Sequence, residues 1–207
     1  MALTKVRGKG LGTLGDGTAS DTAIVFDGNA QDFHIGLDDS TDSLTIGLGS
    51  TLGTTSHMVF DADGHITQPL QSAASFKIAS NQNNFGTAAK IAFATEHFDQ
   101  NGDWNNSTYI FTAPVTGRYL ITMHLTLDNL DTAATYVQFT LFTSNRNYQT
   151  TLDPDYFDSD ARYFPVEMVV LADMDASDTA HWECLQSGGT AQTDILTESF
   201  GSISLQM

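Results

Sequence analysis

Six histidines stand at positions 34, 57, 65, 97, 124 and 181 and a single cysteine at 184, and neither an H-E-x-x-H nor a G-x-S-x-G pattern accompanies them. A lone thiol closes no internal disulfide and supplies at most one zinc ligand. Cys184 lies in the strand-like run Trp182-Glu183-Cys184-Leu185. As a nucleophile it would need a base that the sequence does not identify, so it reads as structural. His124 falls on the polar face of the alternating run Tyr119 to Leu127, where it lines either an oligomer axis or a groove, and a structural role is the simpler reading. No catalytic residue is assigned, and the chain reads as a protein without enzymatic activity.

Carboxylates are the remaining chemistry. Asp99-Gln100-Asn101-Gly102-Asp103 begins like an EF-hand loop, but Trp104 stands where the turn glycine belongs and Ile110 where the bidentate glutamate belongs. A calcium site of another kind stays open in Asp153-Pro154-Asp155-Tyr156-Phe157-Asp158-Ser159-Asp160, with a solvated acidic loop as the default; no other cofactor is expected. The same region combines amides, an arginine and aromatics. Such mixtures suit sugars, whose C–H faces pack on rings while their hydroxyls bond to amides and carboxylates. Asn145, Arg146, Tyr148, Asp155 and Tyr156 are therefore the candidate receptor-binding residues, against the alternative that Tyr156, Phe157 and Phe164 pack between subunits.

Charge narrows the partners. Twenty-five Asp and Glu against eight Lys and Arg give a formal net charge of −17. Such a surface repels phosphate, which excludes sequence-independent nucleic-acid binding and disfavours anionic membranes. No stretch approaches the ~20 apolar residues needed to span a bilayer. The basic start, Met1 to Gly8, lacks the apolar run of a secretory signal, so the expectation is a soluble protein that leaves a cell only by lysis or within an assembly. Three of the eight bases, Lys5, Arg7 and Lys9, precede an acidic body with nine Asp and no Lys or Arg from residue 10 to 76. They are the candidate attachment residues to a larger particle, although incidental charge on a disordered terminus accounts for them as well.

These residues need elements to hold them. Asp outnumbers Glu by 21 to 4, and Asp favours turns where Glu favours helices, so the composition points to a β protein rich in turns. Between residues 18 and 66, Ile24-Val25-Phe26, Ile35-Gly36-Leu37, Ile46-Gly47-Leu48 and Met58-Val59-Phe60 recur with turn clusters between them. This is the pattern of a short-strand meander. It is too poor in large apolar residues to enclose a core from one chain. Residues 10 to 66 therefore read as a trimeric shaft or collar whose folding depends on oligomerisation. Small and polar residues at 67 to 75 mark a linker between an N-terminal attachment and shaft region, 1 to 66, and a head domain, 76 to 207. Longer alternating strands follow: Tyr119 to Leu127, Tyr136 to Phe142, Glu167 to Leu171 and Phe200 to Leu205. No window sustains a capped helical period. The fold class is all-β, with the head a sandwich of jelly-roll type.

The segment Tyr109-Ile110-Phe111-Thr112-Ala113-Pro114-Val115-Thr116-Gly117-Arg118-Tyr119-Leu120 resembles the signature of the trimeric jelly-roll superfamily of complement globular heads and tumour necrosis factor. Phe76 matches the first-strand aromatic, Ile91 and Phe93 the second strand, Asn101-Gly102 and Trp104 the loop before the motif, and Phe200 to Leu205 the closing strand. The resemblance covers about residues 72 to 207 and implies a homotrimer. Two features depart from it: no Gly-X-Y run precedes the head, which puts a complement-type role in doubt, and the expected Gly-Asp reads Met174-Asp175-Ala176-Ser177-Asp178. Residues 10 to 66, with Asp16 to Ser40 the clearest part, resemble a module of tailed-bacteriophage structural proteins.

Together the two resemblances imply a homotrimeric phage fibre of the virion. It would attach to other virion proteins through its N-terminus and bind a bacterial surface glycan or protein through the head. The alternative is a head fibre or capsid decoration protein without a specific receptor. A depolymerase tip, which needs paired carboxylates in a groove, is disfavoured by the absence of long β-helical repeats.

Overall fold

A computed structural model describes residues 14 to 206. The chain divides into two compact units, Met1–Leu70 and Gln71–Met207. The division falls inside the small, polar stretch 67 to 75, and strand structure resumes at Ala73. All strand pairing is antiparallel, and among the described residues the only helical element is one 3-10 turn, Pro154–Tyr156. No helix there is long and apolar enough to cross a membrane.

Unit 1 is a single meander with strands in sequence order: β1 (Thr22–Phe26), β2 (Phe33–Asp38), β3 (Ser43–Leu48), β4 (Ser56–Phe60) and β5 (Ile66–Thr67). Aspartates make its turns. Asp61 Oδ1 accepts from the backbone N–H of Asp63 at 3.0 Å and of His65 at 2.8 Å, and Asp38 Oδ1 from that of Ser40 at 3.1 Å. The burial pattern is the reverse of an ordinary half-buried sheet. In β2, Phe33, Ile35 and Leu37 are exposed while His34, Gly36 and Asp38 are buried; in β3, Ser43, Thr45 and Gly47 are buried.

The polar face is covered by the unit's own loop, residues 49 to 55. His34 Nδ1 lies 2.9 Å from the Gly49 carbonyl, the Leu48 N–H donates to the Thr55 carbonyl at 2.9 Å, and Leu52 is buried. Only glycine fits at 47, since a Cβ would collide with the Thr55 carbonyl and come within 2.7 Å of His34 Nε2. The other face carries most of the large apolar residues of the strands, Val25 and Val59 being on the side of His34 and Thr45.

Unit 2 is a two-sheet sandwich. One sheet has the order β14 (Phe164–Met174), β11 (Gly117–Asp128), β17 (Phe200–Leu205), β6 (Ala73–Lys77), β8 (Thr95–Asp99), with β16 (Asp194–Ile195) on β11. The other has the order β13 (Asn147–Leu152), β12 (Ala134–Thr143), β15 (Thr179–Gly188), β10 (Ile110–Thr112), β9 (Trp104–Asn105), with β7 (Ala89–Lys90) on β15. The chain crosses from sheet to sheet at every step from β6 to β9 and again between β10 and β11, β11 and β12, β13 and β14, β14 and β15, and β15 and β16, which is jelly-roll winding. Alternation sets the layers. Tyr119, Ile121, Met123, Leu125 and Leu127 of β11 all face the core, as do Val137, Phe139 and Leu141 of β12.

An aromatic cluster closes the sandwich. Phe76 stacks on Trp104 with ring centroids 3.8 Å apart and meets Phe93 at 5.3 Å and Trp182 at 5.6 Å. The Phe-Thr-Ala-Pro segment is a strand end and turn locked from both sides. Phe111 packs edge-on against Tyr119 at 5.5 Å, the Tyr119 hydroxyl donates to the Val115 carbonyl at 2.7 Å, and the Ala113 N–H donates to the Asp178 carbonyl at 2.8 Å. Two landmarks differ from expectation. Ile91 and Phe93 are core residues, but they follow β7 outside any strand, because only the Ile91 N–H continues the pairing, to the Trp182 carbonyl at 2.9 Å. Trp104 opens the short strand β9 instead of lying in a loop, since Phe111 pairs with it.

Candidate functional site

The outward side of β12, β13 and β15 combines hydrogen-bonding side chains with an aromatic ring. Alternation places Gln138, Thr140 and Phe142 there from β12 and Glu183 and Leu185 from β15, and register sets Gln149 of β13 and Glu183 on either side of Thr140. With Ala88 these residues line a groove of about 220 Å³ floored by Cys184. Gln149 Nε2 sits 3.4 Å from both Gln138 Oε1 and Thr140 Oγ1, and Gln138 Nε2 donates to Thr151 Oγ1 at 3.2 Å. At 3.4 Å such bonds are weak, which leaves the Gln149 amide free to re-pair with a ligand hydroxyl. Phe142 stacks on His181 with centroids 5.3 Å apart, and His181 Nε2 lies 3.3 Å from Glu183 Oε1.

Burial is the main cause that lowers the pKa of His181, with Glu183 working against it, so the imidazole is neutral near pH 7. Burial also pushes the Cys184 thiol up to about 12. Its Sγ lies 3.6 Å from the Ala89 carbonyl, so it is a packed side chain without thiolate character.

The five candidate receptor-binding residues fall in separate places. Asn145 and Arg146 occupy the turn between β12 and β13 and are tied to the end of β14: the Asn145 amide donates to the Asp173 carbonyl at 3.0 Å and the Arg146 guanidinium to the Asp173 carboxylate at 2.8 Å. Tyr148 points inward, half-buried against the core. Asp155 and Tyr156 lie in the 3-10 turn beyond the far end of β13, where Tyr156 is 90% exposed. The six residues of β13 separate the two ends, about 20 Å of extended chain. Lys5, Arg7 and Lys9 lie outside the described residues.

The acidic loops are occupied by their own backbone. Asp99 accepts from the N–H groups of Gly102, Asp103 and Trp104 at 2.9 to 3.1 Å, which makes the EF-like segment a capped turn. Asp153 caps the 3-10 turn, and Asp160 accepts from Thr132 and Gln192, bonds that lower its pKa. Among the described residues no three acidic, histidine or cysteine side chains are grouped to hold a metal.

His124 does lie on an outward face, that of the β14-β11-β17-β6-β8 sheet. It stacks on Phe200 with centroids 5.0 Å apart and lies 3.3 Å from Glu167, beside a depression shared with Thr122 and Val169. This face exposes apolar side chains on three of its strands: Val169 and Leu171 of β14, Phe200 of β17 and Phe98 of β8.

The amide groove was not identified from sequence. Its only local signal is the i, i+2 spacing of polar residues in Gln138-Phe139-Thr140 and His181-Trp182-Glu183, which marks a solvent face without showing which strands adjoin.

No protein-family model and no curated protein matches the chain. Among solved structures, the globular domain of zebrafish complement 1qA protein superposes with a TM-score of 0.50 at 16% identity, over 66% of this chain and 98% of that one. Eiger TNF from S. frugiperda gives 0.46 at 14% identity over 66% and 93%, and murine APRIL 0.43 at 10% over 65% and 99%. The likeness to the complement domain establishes the fold of unit 2: a jelly roll of the complement and tumour necrosis factor type.

Proposed function

We propose that the chain is a homotrimeric fibre protein of a tailed-bacteriophage virion whose head binds a glycan on the bacterial surface. The observation that supports glycan recognition is the groove on β12, β13 and β15, where two amides, a hydroxyl, a carboxylate and the Phe142 ring share one outward surface. A saccharide ring presents an apolar face and a rim of hydroxyls, and this set of side chains offers a partner to each. Self-association is supported by the exposed Val169, Leu171 and Phe200 on the other sheet, since clustered exposed apolar side chains mark a contact surface. Attachment to the host then arises from avidity, with weak sites repeated on each trimer and across several trimers per particle.

The test is staining of intact host cells by the labelled full chain, wild type against Gln149→Ala with Glu183→Ala. Each lost hydrogen bond is worth about 0.5–1.5 kcal/mol, or roughly 3- to 10-fold per site. Three sites multiply that, so staining should fall by more than about 10-fold. Unchanged staining by this variant, with loss on substitution of Asn145 and Arg146 instead, would move recognition to the β12–β13 turn. No staining by the wild type, together with retention on capsids, selects the decoration reading.

A further inference from the structure

Unit 1 leaves uncovered the face that should be its core. Direct cross-strand partners share a face, and the register aligns Ile24, Ile35, Ile46 and Met58 in one row across four strands. Phe26, Phe33 and Leu48 form a second row, and Leu37, Leu44, Phe60 and Ile66 a third. With Thr22, these twelve side chains include no Asp, Glu, Lys or Arg. Seven of them are 39–58% exposed. At ~200 Å² for a large side chain that leaves about 700 Å² of apolar surface. A typical monomer's largest patch is about 300–600 Å², whereas each side of a specific interface buries about 800 Å².

We propose that this face is a seam between copies of the chain: the row Ile24, Ile35, Ile46 and Met58 packs against the same face of sister protomers, and unit 1 keeps its fold only in that assembly. The other face is covered over β2 and β3 by loop 49 to 55, with Val25 of β1 39% exposed beside it, so the larger open apolar surface is on one side. The buried content of the covered face is His34, Asp38, Ser43, Thr45, two glycines and Leu52, which is too little apolar burial to hold a five-stranded sheet. Charge selects the occupant. The nine Asp of residues 10 to 76 lie off the apolar face, most of them in turns at strand ends, so when two such faces meet the acids stay at a wet rim, screened over about 8 Å. A lipid surface or nucleic acid would meet that acidic rim head-on and be repelled. A second copy arrives in equal amount with a matching uncharged face of matching size. That three copies share the seam rests on the fibre reading above; the seam itself does not.

Carbene footprinting of the intact recombinant chain, alone in solution, together with its mass by light scattering, tests this. In a single chain, labelling of Ile24, Phe33 and Ile35 should fall only about two-fold below that of Tyr156, following exposures of 49, 42 and 39% against 90%. Behind a seam packed like an interior it falls roughly five-fold or more. Ile35→Asp should return Ile24 and Phe33 to the two-fold ratio or strip amide-exchange protection from residues 22 to 60, with Trp104 and Trp182 of unit 2 keeping native fluorescence. A mass of three chains with protected faces agrees with both the seam and the fibre reading. Two chains with protected faces keep the seam and overturn the three-fold reading. A wild-type face labelled at the two-fold ratio, or an Ile35→Asp variant as protected as wild type, overturns the seam.

Discussion

Gly201→Ala should destabilise the head through one aromatic stack. Gly201 lies in β17 opposite Met123 of β11 and Phe76 of β6. A Cβ built there would stand 2.7 Å from Phe76 Cε2, 3.4 Å from its Cδ2 and 3.2 Å from the Thr122 carbonyl. To recover a normal contact of about 3.5–4.0 Å the ring must retreat by about 1 Å. It has nowhere to go, because Phe76 is fully buried and stacked on Trp104 at 3.8 Å, with Phe93 and Trp182 against its edges. Overpacking of this kind costs about 1–3 kcal/mol, and the loss of glycine's excess unfolded-state entropy returns about 0.5–1 kcal/mol. The net loss centres on about 1 kcal/mol, within about 0–2.5, or roughly 3–5 °C in Tm at the centre for a unit of this size. Both tryptophans lie in unit 2, so thermal melts followed by tryptophan fluorescence report this unit alone, and near-UV circular dichroism should show the disturbed stack. Phe76→Leu removes the colliding ring edge, so the double variant should be less destabilised than the sum of the two by at least ~1 kcal/mol. A Gly201→Ala protein that melts at or above wild type, or strictly additive single effects, would refute the packing account.

Ser177→Gly should raise stability by about 0.5–1 kcal/mol, read as an upward shift of the same melt, because Ser177 holds φ at +76° in the turn between β14 and β15, where a side chain costs about 1–2 kcal/mol. A lower Tm would show that its side chain contributes more than the backbone strain costs. Arg162 donates to both Asp128 carboxylate oxygens, at 2.9 and 3.2 Å, and these bonds hold the Asp128 pKa below the ordinary value. A carboxylate so depressed contributes stability that is full above about pH 4 and is lost as pH falls through its lower folded-state pKa. Arg162→Ala should therefore melt below wild type at pH 7, by a small margin because the largely exposed guanidinium is screened by solvent. The gap should close on acidification; a gap that widens toward pH 3 contradicts the assignment.

What could be read from the sequence was whatever local periodicity or turn chemistry encodes. Tyr119 to Leu127 announces its buried face because every second residue is apolar, and the Phe111 to Pro114 turn is legible because its residues do their work within a few positions. The expected Gly-Asp that reads Ser177-Asp178 is also resolved by local geometry: Ser177 takes the positive φ a glycine would supply, and the Asp178 carboxylate accepts the Asp175 N–H at 2.8 Å. The polar stretch 67 to 75 looked structureless, yet Ser72 Oγ donates to Asp103 at 2.6 Å and Ala73–Lys77 pairs with β17. Its small residues belong to a strand, with Ala73 and Ser75 on the outward side and Ala74 in the core, which composition alone does not distinguish from a linker. The amide groove was hidden for a different reason. Gln138, Gln149 and Glu183 span 45 positions and meet only because β12 pairs with both β13 and β15.

The meander marks the limit of reading a pattern without its partners. Alternation in Phe33-His34-Ile35-Gly36-Leu37-Asp38 fixes which residues share a face, and ordinary practice assigns the apolar face to the interior. Within one chain the interior side is the other one, because Gly47 leaves room there for the Thr55 carbonyl of loop 49 to 55 and His34 reaches the Gly49 carbonyl, while Gly36 lets β1 pass close by. That arrangement leaves His34 Nε2 buried without a hydrogen-bond partner, a cost of about 1–3 kcal/mol, on a unit with almost no apolar burial of its own to offset it. Covering about 700 Å² at ~25 cal/mol per Å² supplies roughly 17 kcal/mol per chain before the entropy of association. With the apolar face covered as proposed, the same alternation that misleads about a single chain becomes consistent, because the folding unit is then the assembly.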